Sequence, residues 1–137
     1  MKKCLLLPLV LLAACGGGSG DTLAIDIEGG PRNEKYAIRV TGDGRASCDG
    51  NELQALLSQQ VITSREIERG VREFAVDARS FITAEPGRRS YTLRTTDGTV
   101  RWTEGAPGLP AVLPKAQRLG FQLERTLCRG EPAPKAL

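Results

Sequence analysis

Four runs of this chain alternate apolar and polar residues with a period of two, and a fold without a sheet cannot satisfy them. Thr22–Glu28 sets Leu23, Ile25 and Ile27 against Ala24, Asp26 and Glu28, and Lys35–Thr41 puts Tyr36, Ile38 and Val40 on one side. Ser90–Thr103 holds two more, with Tyr91 and Leu93 facing Val100 and Trp102 across a turn at Asp97-Gly98. Successive side chains of a strand point to opposite faces, so each run has one face to bury and one to leave in water. Gly29–Asn33 breaks the first two runs apart, and Gly42-Asp43-Gly44 lets Arg45–Cys48 return as a short third strand.

Between and after these runs the period changes. Thr63-Ser64-Arg65-Glu66 has the S/T-x-x-E form of a capping box, and Ile67, Val71, Phe74, Ala75 and Ala78 then fall on one helical stripe. Gly70 weakens that helix without stopping it. The segment from about Pro110 to Leu127 carries Val112, Leu113, Ala116, Leu119, Leu123 and Leu127 on one side, and its prolines 110 and 114 are tolerable within a first turn. Asn51–Ile62 is ambiguous, because Leu53, Leu56 and Leu57 have helical spacing while the following "QQVIT" suits extended chain. The expectation is an α+β domain: a small antiparallel sheet of two to three N-terminal strands plus a C-terminal hairpin, with two helices packed on one face.

The N-terminus has a different character. Met1-Lys2-Lys3 is positive, Leu5–Leu12 is apolar apart from Pro8, and Leu12-Ala13-Ala14-Cys15 leads into Gly16-Gly17-Gly18-Ser19-Gly20. The apolar run falls well short of the ~20 residues that span a bilayer, so it reads as a signal peptide. Its end resembles the lipobox of bacterial lipoproteins. That resemblance implies diacylglyceryl and fatty acyl (palmitate) modification at Cys15, removal of 1–14, and a membrane anchor on the envelope side of the cell membrane, or of the outer membrane where a cell has two. Residues 15–21 would then be the lipidated cysteine and its flexible tether, 22–130 a single domain, and 131–137 a disordered tail.

Charge and cysteine counts narrow the function classes. Of 19 basic side chains, Lys2 and Lys3 precede Cys15, which leaves 17 against 16 acidic ones and removes the case for a nucleic-acid partner. Of four cysteines, Cys4 lies in the signal peptide and Cys15 is the lipidation residue. Cys48 and Cys128 remain for a disulfide in an oxidising compartment, and closing a loop of that length contributes ~4 kcal/mol on the chain-entropy model.

Signs of catalysis are few. The chain has no histidine, which removes Ser-His-Asp triads, Cys-His pairs and the usual zinc ligand sets. Glu66, Glu68 and Glu73 sit at ion-pair spacing with Arg65, Arg69 and Arg72, as on a solvated helix face. Asp43, Asp49, Asn51 and Glu52 cluster among glycines without the spacing of a calcium loop, so they read as turn residues. No glycine-rich loop joins a strand to a helix in the pattern that cradles phosphate. Arg39, Arg45, Arg94 and Arg101 fall opposite the apolar residues of their strands, as on an ordinary solvated sheet face. No catalytic residue, metal site or cofactor is expected.

Tyr91–Arg125, a Tyr-led hairpin followed by an acidic Gly/Pro loop, a proline-containing helix start and a leucine-rich helix, resembles the C-terminal half of emfourin-like proteins. That resemblance implies inhibition of thermolysin-like metalloproteases, the alternative to the leading expectation. The leading one is a non-catalytic binding domain at the cell envelope, held to the membrane through lipidated Cys15 and meeting a protein or envelope-polymer partner.

Overall fold

The computed structural model describes residues 20–133. Strands β1 (Asp21–Gly29), β2 (Glu34–Thr41) and β3 (Arg45–Cys48) form where the alternation predicts them. The chain continues through β4 (Gln54–Ala55), α1 (Ser58–Gly70), α2 (Arg72–Val76) and β5 (Ser80–Phe81). Strands β6 (Arg89–Thr95) and β7 (Gly98–Thr103) make the second hairpin, and α3 (Val112–Leu123) runs into a π-helical turn, Glu124–Cys128.

The α+β class holds, but the sheet is larger than expected: seven strands in the order β4-β3-β2-β1-β6-β7-β5, antiparallel except for the β5–β7 pair. The two additions are two-residue edge strands, too short to show a period. At the centre, Ile25 pairs with Ile38 on one side and Leu93 on the other, and Ile27 pairs with Tyr36 and Tyr91. These apolar faces turn toward Ile67, Val71 and Ala75 of the first helical segment and Leu113, Ala116, Leu119 and Leu123 of α3, forming one core. Gly120 of α3 faces the sheet, where a Cβ would make ordinary van der Waals contact with Ile27 Cδ1 at 3.4 Å.

One segment left open by the sequence is settled, and three local expectations need correction. The segment from Gln59 to Thr63 is helical, and Leu53, Leu56 and Leu57 are not. Helix α1 begins before Thr63 because Gln60 and Ser64 extend the buried stripe of Ile67 and Val71 by a turn, and Gln60 Oε1 accepts the Leu57 N–H at 3.0 Å. Ser64 Oγ donates to the Val61 carbonyl, so the Thr63–Glu66 motif caps nothing. Downstream, Ala75 N–H still bonds to Val71 O, but Ala78 has φ 49° and has left the helix. In the second hairpin Thr95 pairs with Gly98, so the loop is Thr96-Asp97 and the glycine opens β7. Gly98 has φ 146°, and a Cβ there would collide with the Ala75 carbonyl of α2. Glycine is required at that position for a close approach as well as for the turn.

The disulfide forms as expected. Cys48 and Cys128 are bonded with their Cα atoms 5.3 Å apart, tying the end of β3 to the end of the π-turn.

Candidate functional site

A groove of about 690 Å³ runs beside the exposed flank of α3. Its helix wall is Gln117, Arg118, Phe121, Gln122 and Arg125; opposite stand Tyr91 and Glu104 from the hairpin and Pro31 from the β1–β2 turn. The helical repeat of 3.6 residues produces this wall, since 118, 121, 122 and 125 share the side of α3 opposite Leu113, Ala116 and Leu123. Phe121 is 46% exposed, a large apolar ring in water, with the Arg125 guanidinium 5.8 Å from its centroid.

The groove floor is rigid. Tyr91 and Trp102 are paired across β6 and β7 and stack with centroids 5.1 Å apart, and Trp102 is fully buried. Trp102 is thus a packing residue, as the hairpin pattern predicts. Its Nε1–H donates to Gln117 Oε1 at 3.3 Å, and the Gln117 amide reaches Glu104 at 3.5 Å. Burial first, and then the Glu104 carboxylate, push the Tyr91 hydroxyl up to about 12, against the opposing charge and hydrogen bond of Arg89.

Behind the groove lies a cluster that sequence reasoning missed. Glu124 is fully buried and accepts from Arg89 through both oxygens, at 2.7 and 3.2 Å, and from Arg129 at 2.7 Å. Glu34 accepts from the same two arginines at 3.0 and 3.1 Å. The hydrogen bond to Glu124 holds the Arg89 guanidinium well above its ordinary basicity, outweighing its burial, so it stays charged. A signal for Glu124 was present: residues 113, 116, 120, 124 and 127 have helical spacing, which puts a carboxylate on the buried face of the last helix.

The residues singled out from sequence are dispersed. Arg39, Arg94 and Arg101 share the open face of the sheet, and acids neutralise part of it through Arg39–Asp21 at 3.2 Å and Arg94–Asp26 at 2.7 Å. Arg45 pairs with Asp43, which also meets Thr41, and Asp49 accepts the Ala37 N–H at 2.8 Å. Asp43 thus meets residues flanking its own turn, and Asp49 reaches across to β2. Glu66 pairs with Lys115 of α3, and Arg72 with Asp97 of the hairpin, rather than with neighbours on their own helices. The hydrogen bond and charge of Lys115 hold the Glu66 carboxyl below its usual range. Cys15 lies outside the described residues.

Among the described residues no group of three or more His, Cys, Asp or Glu side chains is placed to hold a metal ion, and no helix is long and apolar enough to cross a membrane. No protein-family model, curated protein or solved structure matches the chain.

Proposed function

We infer that this protein is a lipid-anchored bacterial lipoprotein whose folded domain works outside the cytoplasm by binding a protein or envelope-polymer partner, without catalysis. The groove beside α3 carries the binding part of this reading. It has the volume of a ligand site, a floor fixed by stacked and hydrogen-bonded aromatics, and an exposed ring at its lip. The anchoring part rests on the order of positive start, apolar run, Ala13-Ala14-Cys15 and glycine tether. Two acyl chains hold a protein to a bilayer far more firmly than one.

Intact mass of the membrane-extracted protein tests the anchor: loss of 1–14 with added diacylglyceryl is expected, and Cys15→Ser should release the protein from the membrane. An unmodified mass would overturn the anchor. A photoreactive residue at Gln122, on the groove wall, should give discrete cross-linked adducts in cells that disappear in Phe121→Ser. Smeared or absent adducts would overturn the binding role.

A second reading follows from the emfourin-like pattern of Tyr91–Arg125, which supplies most of the groove lining. Inhibition of a thermolysin-like protease would appear as stoichiometric loss of its activity on mixing. Full activity at micromolar inhibitor would remove this reading.

A further inference from the structure

Resting on the binding role just inferred, we propose that the groove beside α3 accepts an extended peptide segment of a partner protein, with an acidic side chain opposite Arg118 and an apolar side chain against Phe121. Length is the first argument. From Arg118 to Thr126 the helix rises ~12 Å, the reach of three to four residues of extended chain. The groove is therefore matched to a short linear segment.

Charge is the second. Arg125 is already paired with Glu131 at 2.5 Å, and Arg89 is saturated by Glu124 and Glu34. Arg118 makes no ion pair or hydrogen bond with any described residue, yet it projects into the groove wall. A partner carboxylate would supply the counter-charge that the domain itself withholds, and charge-assisted hydrogen bonds are the stronger kind. Glu104 stands on the far side, facing Gln117 of the helix wall, and defines where a second carboxylate is unwelcome.

The character of the walls decides between a peptide and an acyl chain. Gln122 offers an amide that both donates and accepts, Glu104 a carboxylate that accepts, and Tyr91 a hydroxyl capable of either. A main chain, with alternating N–H and C=O groups, can use such walls; a hydrocarbon would cover them and leave their hydrogen bonds unmade. Exposed Phe121, beneath Arg125 at the lip of the groove, offers an aromatic ring of the kind that anchors interfaces.

The test is selection of a phage-displayed random octapeptide library against the full processed chain in nanodiscs of zwitterionic lipid. Enrichment of Asp or Glu beside apolar residues is expected. The best peptide, made with a fluorescein label, should weaken about tenfold when its acid is replaced by the amide. Arg118→Glu should invert the selection toward Lys or Arg, with its thermal melt unchanged because the side chain is exposed. No enrichment, enrichment indifferent to charge, or an Arg118→Glu protein that selects as wild type would each overturn the proposal. So would a dimer in sedimentation that dissociates in Phe121→Ser, since the occupant would then be a second copy. If Gln122 adducts form in cells while selection fails, the binding role survives and only the peptide class falls; if both fail, both fall.

Discussion

The open face of the sheet and the pocket beneath the π-turn both set arginines against carboxylates, but water divides their roles. On the open face Arg39, Asp21 and Arg94 are each more than two-fifths exposed, and the pairs Arg39–Asp21 and Arg94–Asp26 are free to exchange partners with solvent. Beneath the turn Glu124 is fully buried, and Arg89 shows only 16% of its side chain. Exposed pairs contribute ~0–1 kcal/mol, whereas breaking a buried pair strands a charge. The difference teaches that ion pairs in this molecule are a surface finish in one place and a structural joint in the other.

Removing the joint should have the largest effect. Glu124→Met leaves Arg89 and Arg129 crowded around Glu34 alone, and urea unfolding should show a loss of about 3–5 kcal/mol. The double variant Arg89→Met/Glu124→Met should lose less than Glu124→Met, because both buried charges go together; an equal or greater loss would mean that hydrogen-bond geometry rather than charge matters there.

Loss of the disulfide comes next. Cys48→Ser with Cys128→Ser should cost about 2–4 kcal/mol in the same assay. Because Cys128 closes the turn that carries Glu124, amide exchange should speed up across Glu124–Arg129 and stay unchanged near Arg94. Uniform acceleration would erase the distinction between the two regions.

Alkali offers a smaller and graded effect. Tyr91 has its pKa raised from 10.0 to about 12, so the folded state favours the neutral phenol. That stability is fully present below pH 10 and is lost as pH climbs toward 12. Phenolate absorbance and unfolding followed together should show it, and Tyr91→Phe should abolish the extra loss.

The smallest effect belongs to the open face. Arg94→Ala should change stability by less than ~1 kcal/mol, with the change vanishing in high salt. A larger, salt-resistant loss would show that this face too is a joint.

The strands were legible because a half-buried sheet writes its burial directly as alternation: Leu23, Ile25 and Ile27 report their own orientation. The disulfide was legible because only two cysteines remained for the domain. Edge strands β4 and β5 were not, since two residues carry no period and their pairing is decided by what lies alongside. The start of α1 was misplaced because Gln60 and Ser64, both polar, occupy buried positions that an apolar stripe does not mark. The site was the least legible part. Arg89 and Glu124 lie 35 residues apart, and Arg129 and Glu34 lie 95 apart, so their meeting is a product of the sheet order. Helical spacing leaves Phe121 off the apolar stripe of the last helix, but only the placement of α3 shows which residues stand opposite it.

Strand β1 begins at Asp21, directly after the glycines, and it is the middle strand of the seven. A pull delivered through the preceding chain therefore enters the sheet lengthwise, along a strand flanked by antiparallel neighbours on both sides. Ladder bonds perpendicular to that strand resist such a pull together, in shear, instead of parting one after another as a peeled edge would. If residues 15–20 are a leash, the domain is tied to it by the strand hardest to strip away.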